Sequence, residues 1–442
     1  MQRNRLVKMV ALGAIAVVAA VLAAPSVSVI AAPARADSTG AAVGAVYVAS
    51  NAYSANSILT FLRYADGSLV PGSQVPTGGR GSGPGLLLPD DPLASQNSLI
   101  VDRQKRFLFA VNAGSDDVSV LAINGSSLTV IDRQPSRGAY PVSLALFHHT
   151  LYVLNAIGNS VTGFSVGSDG KLTYRQTCAL PNLPPGDGNL TGDSMHSTQP
   201  FVTQTAGEVG FSHNGANLVV VSKEGPRRAN FPFGNTSGSG RIFVYQTDPA
   251  TYALNCSNAP TITSLPQNAP INGNTIQGKF PFDFAWSTQG HLLLTEVFGT
   301  GTDPQVQGSA VQSFTLASDG SLTPDGNPVG SGQLVVCWIV QNDDRVYTAN
   351  FLNDDISFYQ SGARGSLQLI SGGAASFGQQ SPIDLAITND GSFIYELATG
   401  SATVLPFRVE TSGALTALTP VSDGEQPHSG QAGIATVDFA EN

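Results

Sequence analysis

The sequence has 442 residues and a formal net charge of −10, and only 12% of its residues are charged, against 48 Gly and 27 Pro. Few charges, many turn-forming residues and no sustained 3.6-residue apolar stripe argue against a helical protein and predict strands joined by turns. The acidic balance gives no electrostatic reason to expect nucleic acid or an anionic membrane as a partner.

Residues 1–36 have the features of a secretory signal peptide. Basic residues within the first eight positions precede an apolar run at 9–24, and Ala34-Arg35-Ala36 forms a small-x-small cleavage site before Asp37. The alternative is an uncleaved N-terminal anchor, because residues 27–32 extend the apolar character. The main run is shorter than the ~20 residues that a membrane span needs. We therefore expect a secreted protein with no membrane span after cleavage.

A hairpin cassette recurs along the mature chain, and its clearest copy spans Asn159–Thr173. Two alternating strands there flank an Asp169-Gly170 turn, which is a strong hairpin signal because Gly tolerates a positive φ. The second strand of each copy begins with a small or polar residue followed by Leu, at Leu69, Leu128, Leu172, Leu254, Leu322, Leu367 and Leu415. The closer copies recur at the ~40–50 residues that one propeller blade occupies.

An apolar strand precedes each hairpin, and another short apolar segment precedes most of these strands. Together with the two hairpin strands they make seven units of four strands. The first unit lacks its leading strand, whereas the C-terminus carries a spare one at Gly433–Phe439. A closed ring needs its last strand to complete its first blade. The sequence therefore predicts an all-β, seven-bladed β-propeller over residues 37–442, with the C-terminal strand innermost in blade 1. Two β-sandwiches, the alternative, have no use for an orphan terminal strand.

One of the long insertions between strands resembles the start of a calcium loop. Oxygen-bearing side chains alternate at Asp187, Asn189, Thr191 and Asp193, and Gly192 stands at the sixth position. The twelfth position is Thr198 instead of a bidentate Glu, so a polar loop without a metal is the alternative. No other cofactor is expected. The six histidines lack metal-ligand spacing, and His148 and His213 are assigned to turns after the inner strands.

Three cysteines allow one disulfide and one free thiol in an exported chain. Cys178 and Cys256 each follow a hairpin turn, so a bridge between them is compatible with the pattern. Spacing alone does not establish it, because the two Cα atoms must come within about 7 Å. Cys337 lies in an apolar run and is expected to be the buried free thiol.

The repeated unit resembles that of the lactonase-type seven-bladed propellers. The matching segments are Tyr152-Val153-Leu154-Asn155, Asn159-Ser160-Val161-Thr162-Gly163-Phe164 and Asp169-Gly170-Lys171-Leu172. The family includes a 6-phosphogluconolactonase and a carboxymuconate-lactonising enzyme. The resemblance covers essentially the whole mature chain and implies the fold, with lactone hydrolysis or cycloisomerisation as its activity.

In the enzymatic members of that family, some inner strands begin with Pro-His-x-His or Pro-Arg-His. By the phasing of the repeat, the last His of these motifs falls at Ser143, Glu208, Asp283 or Asp384 in this chain, and none of these is His. A partial match remains at Pro427-His428-Ser429. This departure favours a propeller whose lactonase site is degenerate.

Five residues at one phase of the inner strands are predicted to ring the central channel. They are Ser98, Ser143, Glu208, Asp283 and Asp384. The three carboxylates, together with His428, are the candidate acid–base residues, and the two serines are candidate ligand contacts. The alternative is that each side chain caps backbone N–H groups of a neighbouring blade.

A cationic segment follows the second strand of blade 4. Arg227 and Arg228 stand near Lys223 and are followed by Phe231 and Phe233. Such a segment suits a rim that binds a carboxylate or a sugar. A surface loop whose Phe side chains pack against the blade is the alternative.

Two functions follow from these patterns. The first is a secreted, monomeric scaffold that binds a small molecule or a protein at a channel mouth. The second is a lactone hydrolase or lactonising cycloisomerase acting on an extracytoplasmic substrate. Convergence of the carboxylates and His428 with Arg227 or Arg228 in one open pocket would favour the enzyme. Capping of backbone N–H groups by the carboxylates would favour the scaffold.

Overall fold

The computed structural model describes residues 40–85, 90–181, 205–223, 240–265, 268–271, 274–277, 280–298, 308–378 and 380–439. Residues 36–442 form one compact unit. Within the ranges just given, no helix is both long and apolar enough to cross a bilayer. The signal peptide at 1–36 stays a prediction.

The described residues form seven antiparallel blades in a ring, and the strands of a blade pair in chain order. Blade 1 contains β1 Gly44–Ala49, β2 Ser57–Arg63 and β3 Leu69–Pro76, and blade 2 contains β4 Leu99–Val101, β5 Phe107–Asn112, β6 Asp117–Asn124 and β7 Ser127–Pro135. Blade 3 contains β8 Pro141–Phe147, β9 Thr150–Asn155, β10 Ser160–Val166 and β11 Leu172–Ala179. Blade 4 contains β12 Ala206–Phe211, β13 Asn217–Ser222, β14 Arg241–Gln246 and β15 Thr261–Ser264.

The remaining blades follow the same order after a small hairpin of β16 Asn268–Ile271 and β17 Asn274–Gln277. Blade 5 contains β18 Phe280–Trp286, β19 Leu292–Phe298, β20 Gly308–Leu316, β21 Leu322–Pro324 and β22 Val329–Gly330. Blade 6 contains β23 Val336–Asn342, β24 Arg345–Asn350, β25 Asp355–Ser361 and β26 Leu367–Ser376, with a 3-10 turn at Ala363–Gly365. Blade 7 contains β27 Pro382–Ile387, β28 Phe393–Ala398, β29 Thr403–Val409, β30 Leu415–Ala417 and β31 Val421–Ser422. The predicted all-β, seven-bladed propeller is confirmed.

The C-terminal strand β32 (Ile434–Asp438) closes the ring. It pairs with β1, Tyr47 opposite Ala435, and lies innermost in the order β3-β2-β1-β32. Arg63 Nη2 and Asp438 Oδ1 form an ion pair of 2.6 Å between the two ends of the chain. The predicted closure is therefore confirmed, and β32 covers the inner edge of β1, which would otherwise be unpaired.

The recurrent tyrosine and glycine of the cassette join one blade to the next. Tyr347 in blade 6 donates its hydroxyl hydrogen bond to Gly413 O in blade 7 (2.8 Å), and Tyr395 in blade 7 donates to Gly67 O in blade 1 (3.0 Å). Gly67 and Gly413 have φ of 85° and 84°, and a Cβ on Gly67 would lie 2.1 Å from the Phe393 ring. Glycine is therefore required both by the turn and by the packing of the preceding blade.

A disulfide joins the outer strand of blade 3 to blade 4. Cys178 and Cys256 are bridged, with their Cα atoms 5.1 Å apart. The pairing that spacing alone left open is therefore formed. Cys337 is free and buried, as predicted.

Candidate functional site

A segment of irregular chain, Asp90–Asn97, crosses the central channel, and we call it the plug segment. It touches inner strands on opposite sides of the ring, because Ser95 Oγ donates to Val142 O (2.8 Å) in blade 3 and Trp338 Nε1 donates to Ser95 O (3.1 Å) from blade 6. The Gln96 amide exchanges two hydrogen bonds with the backbone of Ile339, at 2.9 and 3.0 Å. The plug segment is thus held by backbone groups that neighbouring strands leave unpaired.

A buried lysine fixes the plug segment to blade 4. Lys223 is 0% exposed, its Nζ donates to Ala94 O, and it lies 5.2 Å from the centroid of the Phe282 ring. Burial lowers the pKa of Lys223 to about 8, and Asp91 opposes this shift. Burial likewise raises the pKa of Asp91 to about 7, against the effect of Lys223. The two groups compensate each other in an environment that disfavours both charges.

The inner strands of blades 3 to 7 carry a β-bulge at the phase of the predicted ring. The pairing between the inner strand and the second strand shifts by a residue or more immediately before or across this position in β8, β12, β18, β23 and β27. A bulge leaves backbone groups outside the ladder and reorients the side chains beside it.

Three ring residues cap backbone N–H groups. Ser143 Oγ accepts from Val209 N (3.2 Å) and Glu208 Oε2 accepts from Phe284 N (2.6 Å), in each case on the following blade. Asp384 accepts from Leu385 N (2.8 Å) and from Ile434 N (3.2 Å) of the closing strand. These contacts are those expected of the structural role, in which each blade secures its neighbour.

Glu208 and Asp283 form a coupled carboxyl pair. Burial, followed by the neighbouring Glu208, raises the pKa of Asp283 well above its usual range. Burial raises the pKa of Glu208 to about 7. Burial and the neighbouring carboxyl group therefore both disfavour the ionised form of Asp283.

Asp283 is the member of the pair with unused acceptor capacity. Neither of its buried oxygens accepts a hydrogen bond of good geometry from the described residues. The nearby Phe284 N–H donates to Glu208, and the nearby Ile339 N–H donates to Gln96. In contrast, Glu208 Oε1 also accepts from Asn97 Nδ2 (2.8 Å), which ties the pair to the plug segment.

His428 lies apart from this pair. Its Nδ1 is 2.5 Å from Asp90 Oδ1 at the start of the plug segment, and its side chain is 56% exposed. The structure therefore brings Glu208, Asp283 and Asp384 into one buried cluster and places His428 with a different carboxylate. Ser98 lies beside Gly433, and its buried Oγ has no hydrogen-bond partner within the described ranges.

The opposite end of the channel is open, and we call it the open mouth. A cavity of about 540 Å³ lies where the inner strands of blades 2 to 5 end, and one of about 590 Å³ adjoins it. Asn97 and Glu208 lie at the floor of the cavity of about 540 Å³, and Arg103, His148 and His213 stand on the turns at its rim. The walls are apolar and are formed by Leu144, Leu146, Phe147, Phe211, Phe284 and Trp286. An apolar cavity with a few polar groups is typical of a small-molecule site.

A family model described as lactonase, 7-bladed beta-propeller, matches residues 34–297, more than half of the chain. The chain belongs to this lactonase propeller family. A search of curated proteins found no match.

Solved structures similar to this lactonase propeller share its fold at low identity. A putative 6-phosphogluconolactonase from Bacteroides fragilis is 16% identical with a TM-score of 0.59, and the match covers 91% of this chain and 100% of that one. A periplasmic gluconolactonase from Pseudomonas aeruginosa is 14% identical, also with a TM-score of 0.59, over 89% and 99% of the two chains. A protein from Lactobacillus plantarum is 14% identical, with a TM-score of 0.60 and the same coverage. At such identities the likeness establishes the fold alone.

Several predicted site residues of this lactonase propeller lie outside the described residues. They are Arg227, Arg228, Asp187, Asn189, Thr191 and Asp193. The calcium site and the cationic rim therefore stay predictions. In the part of the chain that the structure does describe, no cluster of three or more His, Cys, Asp or Glu side chains is placed to hold a metal ion.

The sequence patterns did not identify the plug segment or the open mouth. The plug segment has no motif, because its role depends on which strands face each other across the channel. The rim residues did carry a signal. Arg103, His148 and His213 lie on the turns that follow the inner strands of blades 2, 3 and 4. Because they occupy the same position in the repeat, they are expected at the same end of the ring.

Proposed function

We propose that this lactonase propeller is a secreted, monomeric protein that binds a small organic ligand in the open mouth, and that its lactonase site is degenerate. The plug segment is the observation that carries the proposal. It crosses the channel at the level of the ring residues, where the family resemblance places the missing histidines, and the mouth beyond it stays open. A channel closed at one end offers a pocket with a floor instead of a passage.

The proposal is tested by blocking each end of the channel in turn. Leu146→Trp places a large side chain in the wall of the open mouth, and His428→Trp places the same side chain at the plug end as a matched control. Calorimetric titration with sugars, sugar acids and aromatic compounds is expected to show binding that Leu146→Trp removes and His428→Trp retains. Loss of binding in His428→Trp alone would move the site to the other end, and absence of binding throughout would refute the proposal.

Export and oligomeric state are tested separately. The N-terminus of protein recovered from the culture medium is expected to be Asp37, as the predicted cleavage site requires. Light scattering is expected to give the mass of one chain. An intact N-terminus in a membrane fraction would support the uncleaved anchor instead.

Lactone hydrolysis is the second candidate, and the carboxyl pair favours it. A carboxylate whose pKa is raised to about 7 is suited to general-base catalysis near neutral pH, and Glu208 lies at the floor of the open mouth. In this reaction Glu208 takes a proton from water as the water oxygen attacks the lactone carbonyl carbon. The ring C–O bond then breaks, and the protonated Glu208 returns its proton to the freed alkoxide. The similar 6-phosphogluconolactonase and gluconolactonase are named for such chemistry.

A panel of sugar and aromatic lactones separates the two candidates. Hydrolysis above the uncatalysed rate that falls by about 100-fold in Glu208→Gln would support general-base catalysis. Asp384→Asn is the matched control, because Asp384 is buried like Glu208 but does not line the open mouth. No hydrolysis by the wild type would remove the enzymatic candidate, and hydrolysis unchanged in both variants would assign it to other residues.

A further inference from the structure

We propose that the open mouth selects ring-shaped organic carboxylates and that the Arg103 guanidinium anchors their carboxylate group. The inference rests on the ligand-binding function proposed above and adds the chemical class of the ligand. Two features of the open mouth carry it, namely aromatic walls and a cation that forms no ion pair with a carboxylate of the described residues.

The walls of the open mouth present aromatic rings from three consecutive blades. Phe147 in blade 3 and Phe211 in blade 4 lie with their ring centroids 5.4 Å apart. In blade 5, Trp286 packs edge-on against Phe284 at 6.1 Å, and this half-buried residue lines the cavity. Flat apolar walls of this kind bind a ring by stacking and by excluding water.

The turn after β4 carries three cations, and two of them are paired. Lys105 Nζ lies 3.3 Å from Asp438 Oδ2, and Arg106 Nε lies 3.5 Å from Asp102 Oδ2. Arg103 is exposed and lies in the lining of both cavities, and within the described ranges it forms no hydrogen bond or ion pair. Its guanidinium is therefore available to a ligand.

The acidic side chains that line these cavities do not compete for Arg103. Asp102 is 4% exposed and accepts from the backbone N–H groups of Arg106 (2.6 Å) and Phe107 (2.7 Å). Glu208 is 2% exposed and is bonded to Asn97 and Phe284. The local charge at the rim is therefore positive although the whole chain is acidic. A guanidinium binds a carboxylate through two parallel N–H···O bonds, which sets both affinity and orientation.

Fluorescence of Trp286 provides the test, because the other tryptophan, Trp338, is only 1% exposed. The probes are benzoate and cyclohexanecarboxylate, each compared with its neutral amide of the same shape. Each carboxylate is expected to quench Trp286 and to bind about tenfold or more tightly than its amide, as a charge-assisted bidentate contact predicts. In Trp286→Phe the quenching should disappear, which identifies Trp286 as the source of the fluorescence signal. Calorimetry then shows whether this variant still binds the probes.

Arg103→Met is expected to abolish the preference for carboxylates while leaving the affinity for the amides unchanged. Arg106→Met, on the same turn, is the matched control and should keep the preference. Equal affinity for acid and amide in the wild type, or an unchanged preference in Arg103→Met, would overturn the inference and leave the binding function standing. Failure of all four probes to bind while other small molecules bind would also overturn it, whereas failure of every ligand class would refute the binding function itself.

Discussion

At the scale of single residues, buried tyrosine hydroxyls differ in whether they form a hydrogen bond between blades. Tyr395 and Tyr47 are equivalent second-strand residues, and both are 0% exposed. The Tyr395 hydroxyl donates to Gly67 O across the junction of blades 7 and 1. The Tyr47 hydroxyl is buried and has no partner among the described residues. The same side chain therefore has opposite energetic roles at two positions of the repeat.

Tyr395→Phe is expected to lower the free energy of unfolding by about 1 kcal/mol, because it removes the hydrogen bond and leaves Gly67 O buried without that donor. Tyr47→Phe is the matched control and should be neutral or stabilising, since it removes a hydroxyl that has no described partner. Chemical denaturation of the two variants measures the difference. An equal loss in both would show that the hydroxyl contacts do not account for the effect.

At the scale of elements, three further contacts join the blades, in addition to apolar packing and the tyrosine hydroxyl hydrogen bonds. Ring side chains such as Ser143 and Glu208 cap the inner strand of the next blade. The plug segment bridges blades 3 and 6, which are not neighbours. The disulfide joins blades 3 and 4 at the outer side. Each contact acts between blades, where a repeat protein has fewer backbone hydrogen bonds than it has within a blade.

Loss of the disulfide is expected to lower the free energy of unfolding by about 2–4 kcal/mol, because the bridge closes a long loop in the unfolded chain. Its two cysteines are separated by 78 positions in the sequence. Cys256→Ala is the variant to measure by chemical denaturation. Wild-type protein under reducing conditions should match the variant, and the variant itself should not respond to the reductant. A response of the variant would point to another thiol.

At the scale of the whole molecule, ring closure and buried carboxyl groups determine stability. The closing strand β32 provides the inner edge of blade 1 and the Arg63–Asp438 ion pair. Several carboxyl groups are buried between or within blades, and burial raises their pKa values: to about 7 for Asp91, Glu208 and Asp355, and to about 8 for Glu396. Ring closure determines whether the edge of β1 is covered, and the buried carboxyl groups determine how stability depends on pH.

A chain that ends at residue 432 is expected to associate, because removal of β32 exposes the edge of β1 to pairing with other chains. Size-exclusion chromatography measures the association. A chain that ends at Phe439 keeps β32 and is the control. Addition of a peptide corresponding to residues 433–439 should restore the monomer. A monomeric truncated chain with unchanged melting temperature would show that closure does not depend on this strand.

The protein is expected to be more stable at pH 5 than at pH 8. A carboxyl group whose pKa is raised by folding binds more protons in the folded than in the unfolded state between the two pKa values, so stability falls as pH rises through that window. For Glu396 the window runs from 4.5 to about 8. Thermal unfolding across this range measures the slope, and Glu396→Gln is expected to reduce it. A variant with an unchanged slope would show that Glu396 does not contribute.

The sequence by itself determined the blade. The Asp-Gly hairpin, the tyrosine strand and the orphan strand at residues 433–439 predicted the seven-bladed ring and its closure, because these patterns are local and recur in phase. The same phase predicted that Glu208, Asp283 and Asp384 lie together, and the apolar run around Cys337 predicted that this thiol is buried. The tertiary structure decided what these residues do. Asn97 and Lys223 have no motif, and they meet Glu208 and Ala94 only because the channel brings distant parts of the chain together. Which end of the channel is filled and which is open depends on those long-range contacts, and a repeat pattern contains no information about them.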